Sequence, residues 1–458
     1  MTEVRQLKAE MKEKQQQLTR EAVTKDIEPT IFTTDDVSMD FQIDTEKEHQ
    51  LKDFMKILGG QGFSLVGSAL VQFSLVWWLT ITTGSAIVLA IATIMALLPQ
   101  ILISPFAGVL VDRWNRRKVM ITSDGIAALM IVILAFLFAQ GSASVFHVYG
   151  IMAIRSAVGV FQWPALQASV SLMVPDEHLS RINGLYQSLS GLAQIAAPPL
   201  GAMLLLIMPI QTILLIDIFT AALAIFPLMF IRVPQPDREP PTQESSSILT
   251  DMMRGVRFLT RWRGGQFTLV AVMITNLILI PSMSLVPIFA LVHFNGGAFE
   301  LAWLQSALGV GMLVGGIALS VWGGFKRRMD TVVVAVVAMG IAILAVGMTP
   351  SGLLFLAVAG LFITGVMVPM ASGSIMAILQ AIVPKEIQGR VFSVVISLSP
   401  LMAPIGLAIA GPIAEAFGTS FWYLISGVVI MLIGLVGRLD STIMEMEEAE
   451  NLSIAPLL

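Results

Sequence analysis

Twelve apolar segments, each of roughly 20 residues or more, follow one another after residue 50. A helix of about 20 residues crosses the hydrocarbon core of a bilayer, so each segment is long enough to span a membrane. The chain is 56% hydrophobic and only 13% charged, which leaves too little charge to cover a water-soluble protein of 458 residues. The sequence therefore predicts an all-α membrane protein with 12 transmembrane helices.

The twelve segments form two sets of six. The first set is predicted at 54–82, 85–111, 119–139, 145–174, 182–208 and 210–231, and the second at 266–292, 298–325, 331–348, 353–383, 391–417 and 420–437. The chain then divides into an N-terminal extension (1–50), a first six-helix bundle (51–231), a linker (232–265), a second six-helix bundle (266–438) and a C-terminal tail (439–458).

The distribution of basic residues predicts the orientation of the spans. After residue 50, every Lys and Arg except Arg155 lies at the start of span 1, in a loop from an even span to the next odd span, or after span 12. The loops from odd to even spans contain neither Lys nor Arg. Because basic loops stay in the cytoplasm, both termini are expected to be cytoplasmic, in the cell membrane of a bacterium.

Two regions outside the spans are polar. Residues 1–50 carry an acidic, weakly periodic sequence that predicts a short surface helix and a partly disordered tether. The linker starts with a stretch rich in Pro and Ser and continues with apolar and Arg residues at helical spacing, which predicts an amphipathic helix lying at the membrane interface.

The two halves resemble each other in sequence. Residues 173–190 and 382–399 align without gaps and share Val, Pro, Glu, Arg and a final Ser-Leu-Ser. The basic residues at 116–118 likewise match those at 326–328. Repeats of this kind place a substrate path between the halves, near the middle of the membrane.

A short charged turn lies between spans 2 and 3, with five charged residues in positions 112–118. Its carboxylate and guanidinium groups can pair with each other and with the ends of neighbouring helices. We predict that it forms a cytoplasmic gate made of Gly108, Asp112, Arg113, Arg116, Arg117 and Asp124. Asp124 lies six residues after Lys118, so Arg113 or Arg116 is its expected partner.

The turn sequence GVLVDRWNRRK resembles the loop motif of the major facilitator superfamily, G-x-L-x-D-R-x-G-R-R, with Asn115 in place of one Gly. Arg155 followed by Gly159, the segment LLIDIFTAAL around Asp217 and the amphipathic linker are similar to the drug:proton antiporter branch, which includes macrolide-efflux and enterobactin-exporter-like proteins. The resemblance implies a major facilitator fold, in which two six-helix bundles are related by pseudo-two-fold symmetry and transport occurs by alternating access.

Two ionisable residues lie deep inside predicted spans. Arg155 in span 4 and Asp217 in span 6 are expected at nearly the same depth, where a charge is costly unless it faces a wet cavity or an opposite charge. We predict that they form the proton-coupling pair. A structural ion pair that never titrates, or an Arg that braces span 4, is the alternative. Glu300 and Glu415 lie near the outer ends of spans 8 and 11 and are expected to be solvated.

Polar and aromatic residues within apolar spans are candidates for the substrate path: Gln72, Trp77, Gln162, Trp163, Gln187, Gln194, Asn276, Gln305 and Gln380. Few of the candidates are ionisable, which favours a bulky, largely apolar ligand. Span 5 resembles an antiporter motif with a conformational bend at Gly191, Pro198, Pro199 and Gly201. Each of these residues can instead serve helix packing.

The sequence contains no cysteine and no motif for metal, phosphate or nucleophilic chemistry, so no enzyme activity, cofactor, metal site or nucleic-acid partner is predicted. The predicted function is proton-coupled efflux of amphiphilic or hydrophobic small molecules, such as drugs or macrolides, by a monomer in the lipid bilayer. Export of a siderophore or a lysophospholipid, uniport without protons, and a non-transporting receptor or scaffold are the alternatives.

Overall fold

The computed structural model describes residues 34–235, 253, 256–260, 263–383, 387–388, 391–392, 394–395 and 400–444. Within this part of the chain the fold is helical and contains no β-strand. The first half consists of six helices: α1 Thr34–Thr83, α2 Ala86–Arg113, α3 Arg116–Ala139, α4 Val145–Met173, α5 Asp176–Ile207 and α6 Ile210–Phe230.

The second half follows the same plan. Its helices are α7 Arg263–Ser284, α8 Ala298–Trp322, α9 Arg328–Met348, α10 Leu354–Ile382, α11 Met402–Phe417 and α12 Thr419–Leu439. After α7 the chain continues through a short helix, Val286–Ile288, and a π-helix, Phe289–His293. A final short helix, Ser441–Met444, follows α12.

The described helices agree with the predicted spans. Eleven of them are long and apolar enough to cross a membrane within the residues that the structure describes. The remaining span was predicted at 391–417, and α11 covers its described second part as a shorter apolar helix. The chain is therefore a multi-pass membrane protein with the expected all-α architecture.

Helix packing repeats from one half to the other. In the first half α2 packs on α4, α3 packs on both α4 and α6, and α1 packs on α5. In the second half α8 packs on α10, α9 packs on both α10 and α12, and α7 packs on α11. Each pairing recurs with the helix numbers raised by six, so the two halves share one internal arrangement. This is the structural counterpart of the sequence repeat.

The two ends of the molecule differ in charge, and we name them by their loops. The basic end carries the turns around 113–118 and 326–328, and the neutral end carries the loops around 84 and 418, which lack Lys and Arg. In the described part of the chain, the hydrogen bonds that join the halves lie toward the neutral end. They link α2 to α11, α2 to the end of α7, and α5 to α8.

Helix α1 starts at Thr34, inside the region predicted as a partly disordered extension. Adding a turn to an existing helix costs far less than nucleating a new one, so a long membrane helix can extend into a polar segment. The predicted surface helix in the first residues lies outside the described part. Most of the predicted interfacial helix also lies outside it, but Phe258 and Leu259 are buried against α10 and neighbouring apolar residues.

Candidate transport site

A polar cavity of about 410 Å³ lies inside the first half, and its walls come from α1 to α6. Helix α1 supplies a stripe of polar residues to this cavity: Gln61, Ser64, Ser68 and Gln72. Their spacing of three or four residues puts them on one face of the helix. Sequence reasoning selected only Gln72, although the regular spacing of the four side chains was a usable signal.

Arg155 and Asp217 meet on the wall of this cavity. A terminal guanidinium nitrogen of Arg155 lies 2.9 Å from Asp217 Oδ2, with side-chain exposures of 17% and 4%. Ser68 of α1 bridges the pair, since Arg155 donates to its hydroxyl at 3.0 Å and the hydroxyl donates to Asp217 Oδ1 at 3.1 Å. Three helices, α1, α4 and α6, therefore hold one compact charged group at the depth expected from the sequence.

Close approach of α1 and α6 makes this geometry possible. A Cβ atom at Gly67 would lie 2.0 Å from Thr220 Oγ1 and 3.1 Å from Asp217 Oδ1. Gly60, two helical turns earlier, faces the carbonyl of Leu223 in the same way. A Cβ at either position would force α1 or atoms of α6 to move, so the two glycines permit the short distance between Asp217 and the polar face of α1.

Asp124 lies on the same cavity, and the partner predicted for it was wrong. Its carboxylate accepts hydrogen bonds from Gln61 Nε2 at 3.0 Å and from Gln162 Nε2 at 2.7 Å, instead of pairing with Arg113 or Arg116. The reason is its depth: eight residues into α3, it lies about 12 Å from the start of the helix, beyond the basic turn. Residue 124 is 4% exposed.

The charged turn at the basic end is held by helix termini of its own half. Arg116 donates to the carbonyl of Ala168 near the end of α4, and Arg117 donates to the carbonyls of Leu228 and Met229 at the end of α6. These are favourable contacts, because a helix C-terminus carries partial negative charge.

Neighbouring residues of the turn and of the predicted gate were also located where the structure describes them. Asn115, the departure from the family motif, caps α3 by accepting a hydrogen bond from the Lys118 N–H. Arg113 is exposed, and a Cβ at Gly108 would meet no neighbour. The side chain of Asp112 lies outside the described residues.

A second cavity, of about 290 Å³, lies inside the second half and is lined by α7, α9, α10 and α12 together with Val395. These helices correspond to α1, α3, α4 and α6, so the two cavities occupy equivalent places in the two halves. Among the described residues, no charged side chain lines the second cavity, and Asn276 is among its few polar residues. One half therefore holds buried charges, and the other offers an apolar space.

The predicted path residues divide into two groups. Gln72, Gln162 and Trp163 line the first cavity, where Trp163 contacts the Tyr186 ring with centroids 4.6 Å apart, and Asn276 lines the second. The remaining residues line neither cavity: Gln187, Gln194 and Gln380 are exposed, Gln305 is half-buried, and Trp77 is buried in the apolar core. Trp77 therefore packs in the core and lines neither cavity. The sequence contains no signal that distinguishes a Trp buried in the core from a Trp that lines a substrate path.

Helix α5 runs without interruption through the predicted bend at Pro198 and Pro199. Gly201 packs against Phe73, where a Cβ would lie 2.6 Å from Cδ1 of the ring, so this glycine allows close contact of α5 with α1. A Cβ at Gly191 would meet no neighbour. Bending at this segment stays a prediction.

Glu415 joins the two halves at the neutral end, where the sequence predicted an ordinary solvated carboxylate. Its Oε2 accepts hydrogen bonds from the N–H of Ala86 at 2.8 Å, from the Ser85 hydroxyl at 3.1 Å and from the N–H of Ile87 at 3.4 Å. These donors form the first turn of α2. The carboxylate of one half therefore caps the positive end of a helix in the other half.

A helical membrane protein with two related halves, a buried ion pair in a polar cavity and halves that meet at one end has the architecture of a secondary transporter. In the described residues no group of three or more His, Cys, Asp or Glu could hold a metal ion. The sequence model of the Major Facilitator Superfamily matches residues 57–350, and the chain belongs to this superfamily of transporters, which are not enzymes.

Curated relatives include Macrolide efflux protein A of Streptococcus pyogenes, which is 32% identical over 383 residues that cover 84% of this chain and 94% of the relative. Multidrug efflux pump Tap of Mycolicibacterium fortuitum is 24% identical over 402 residues, covering 84% and 95% of the two chains.

Among solved structures, a bacterial homolog of the human lysosomal transporter Spinster has a TM-score of 0.64 at 12% identity, with 87% of this chain and 97% of that chain covered. A D-xylose-proton symporter has a TM-score of 0.61 at 13% identity, with 83% and 96% covered. At these identities the two structures establish a shared fold. The protein is therefore a Major Facilitator Superfamily transporter of small molecules with macrolide- and multidrug-efflux relatives.

Proposed function

We propose that the protein exports amphiphilic or hydrophobic small molecules, of the size and character of macrolides and other drugs, in exchange for protons. The observation that carries this proposal is the Arg155–Asp217 pair on the wall of a polar cavity. A buried ion pair is costly to desolvate and is a poor source of stability by itself, so its place in a cavity favours a functional role.

The coupling works through the charge of Asp217. A proton on this carboxylate cancels the attraction that holds Arg155 and leaves the guanidinium with the Ser68 hydroxyl as its remaining close partner. The protonated and ionised states therefore position Arg155 differently and favour different arrangements of α1, α4 and α6. Binding of substrate in the cavity favours one of these arrangements, so substrate and proton compete.

The apolar cavity of the second half supports the substrate class. Burial of apolar ligand surface contributes about 25 cal/mol per Å², which suits a space lined by Val, Met, Ile and Ala. A sugar or a dianion would find too few polar partners there. An amphiphilic molecule can place its apolar body in the second half and its polar groups toward the first.

Alternating access follows from where the halves touch. They are joined toward the neutral end through Glu415, Thr93 and Ser306, so this structure represents a state closed at that end.

We assign the basic end and both termini to the cytoplasmic side of a bacterial plasma membrane, since basic loops are retained in the cytoplasm. The charged turn, including Asp112 and Arg117, acts as the gate that closes the basic end in the opposite state. We expect one monomer to form the complete unit.

The test is transport into inside-out membrane vesicles with erythromycin and ethidium as substrates, with and without an imposed pH gradient. Wild type should accumulate at least one of them in a gradient-dependent way. Asp217→Asn and Arg155→Ala should each lower gradient-driven uptake by about tenfold or more, because the first removes the carboxylate that carries the proton and the second removes the cation whose position depends on it.

Asp330→Asn serves as the control, since Asp330 is a carboxylate outside both cavities that pairs with Arg438 at 3.4 Å. Folding of each variant is checked by size-exclusion chromatography. Wild-type uptake that ignores the gradient would refute proton coupling. Full gradient-driven uptake by both variants would refute the role of the pair.

A further inference from the structure

The first cavity holds a second carboxylate whose surroundings differ from those of Asp217. Among the described residues, no Lys, Arg or His nitrogen lies within 4.0 Å of the Asp124 carboxylate. Its two oxygens accept hydrogen bonds from neutral amides alone, one from Gln61 of α1 and one from Gln162 of α4. Gln162 Nε2 also donates to Gln61 Oε1 at 2.7 Å, which closes a ring of three side chains from three helices.

The ring can accept a proton while both oxygens of the Asp124 carboxyl group stay hydrogen-bonded. An ionised carboxylate needs donors, and the two amide nitrogens supply them. A protonated carboxyl group needs one acceptor for its O–H, and either glutamine can supply an amide oxygen by rotating its terminal amide group by half a turn. This rotation gives up the hydrogen bond from Gln162 to Gln61 and keeps those to Asp124. Gln61 and Gln162 can therefore hydrogen-bond the Asp124 carboxyl group in both of its protonation states.

Proton binding at Asp217 differs from proton binding at Asp124, because Asp217 already pairs with a cation. A proton arriving at Asp217 must displace the guanidinium of Arg155 at 2.9 Å and leaves that cation buried without its partner. A proton arriving at Asp124 breaks no ion pair and neutralises a buried charge that lacks a counter-ion. The other titratable or charged groups that the structure describes on the cavity wall are Asp217 of α6, Arg155 of α4 and Tyr186 of α5, and the described side chains of α1 and α2 contribute none.

We infer that Asp124 is a proton-binding site of the transport cycle, held by Gln61 and Gln162, in addition to the Arg155–Asp217 pair. The inference rests on the proposed proton-coupled function and adds a separate carboxylate to it. The proton associates with one oxygen of Asp124 from water in the cavity, and it leaves to water when the site is exposed on the other side. Gln61 and Gln162 act as positioning residues that join α1, α3 and α4 through this group.

Two transport modes separate coupling from substrate handling. Gradient-driven uptake requires net proton movement, whereas exchange of labelled for unlabelled erythromycin across vesicles without a gradient does not. Asp124→Asn keeps the size of the side chain and cannot ionise. We expect it to lose about tenfold or more of gradient-driven uptake while exchange stays within about twofold of wild type. Asp124→Glu should restore part of the gradient-driven uptake.

A second readout concerns the positioning residues. Gln61→Leu removes one of the two donors to the ionised carboxylate, so the pH at which gradient-driven uptake is half-maximal should rise relative to wild type. Asp330→Asn should leave this pH unchanged. The profile separates a role in proton binding from a role in packing, because a packing defect lowers uptake at every pH alike.

Three outcomes would overturn the assignment of Asp124, and they differ in what they imply for the proposed function. Gradient-dependent uptake by wild type that persists at the same level in Asp124→Asn overturns the assignment of Asp124 and leaves the proposed function intact. Parallel loss of uptake and exchange in Asp124→Asn, with no recovery in Asp124→Glu, also overturns it, because Asp124 then serves folding or substrate binding. Wild-type uptake without any dependence on the gradient refutes the proposed proton coupling and this assignment together.

Discussion

Removal of the Glu415 carboxylate should open the neutral end of the transporter. In Glu415→Ala the first turn of α2 loses the acceptor of two N–H groups and one hydroxyl. A hydrogen bond to a charged group contributes about 1.5–3 kcal/mol and a carboxylate at a helix N-terminus about 0.3–1 kcal/mol. Glu415 is exposed and water can replace most of these bonds, so we count one charged hydrogen bond and the helix N-terminus, each at the low end of its range.

The loss is then about 2 kcal/mol, which corresponds to a roughly 30-fold change in the ratio of open to closed states at the neutral end. A population of about 1% open would rise to roughly a quarter. Glu415→Gln keeps an acceptor oxygen and loses only the charge, so we expect about 1 kcal/mol and a change of about fivefold.

The chain contains no cysteine, so a pair of introduced thiols can report this opening directly. Ser142→Cys and Ser351→Cys place one spin label on each half in exposed loops of the neutral end. Double electron–electron resonance then measures the fraction of molecules with separated labels. The control is Glu300→Ala, since the Glu300 carboxylate binds the N–H of Gly297 within its own half. An unchanged distance distribution in Glu415→Ala, or an equal change in Glu300→Ala, would contradict the reasoning.

Two further predictions address the cavity and the orientation. Gly67→Ala should abolish transport, because its Cβ would lie 2.0 Å from Thr220 Oγ1. Adding Thr220→Ala should restore part of the activity. An active single variant in the vesicle assay would show that α1 and α6 need not approach so closely. In intact cells, a membrane-impermeant maleimide should label Ser142→Cys and spare Lys118→Cys, since the basic end is assigned to the cytoplasm; the reverse pattern would invert the topology.

The helix boundaries could be predicted from the sequence because they depend on local properties. A backbone in lipid must satisfy its own hydrogen bonds, so each apolar run becomes a helix whose length matches the membrane. Helix α4, predicted at 145–174, extends over Val145–Met173, and α6, predicted at 210–231, extends over Ile210–Phe230. The depths of Arg155 and Asp217 followed from the same counting, at about 1.5 Å per residue.

The partners of the polar residues were harder to predict from the sequence. Depth along a helix can be counted, but the direction in which a side chain points depends on how the helix is rotated against its neighbours. In a water-soluble protein an apolar stripe reveals that rotation. Membrane helices are apolar on most faces, since lipid and helix interior are equally apolar, and the sequence pattern carries little information about which face is buried.

Asp124 and Glu415 illustrate this difference. The sequence prediction assigned Asp124 to the basic turn, whereas the fold brings Gln61 of α1 and Gln162 of α4 to its carboxylate. Glu415 was correctly placed near a helix end, but its partner lies 329 residues away along the chain, at Ala86.

By itself, the sequence determined that this chain crosses a membrane many times, that its halves are repeats, and that Arg155 and Asp217 lie at similar depth, because these properties depend on composition and residue count. The tertiary structure alone decided which charges meet, which carboxylate is left with neutral partners, and where the two halves touch. Those outcomes depend on the rotation and contact of whole helices, which the apolar residues of a membrane span specify poorly.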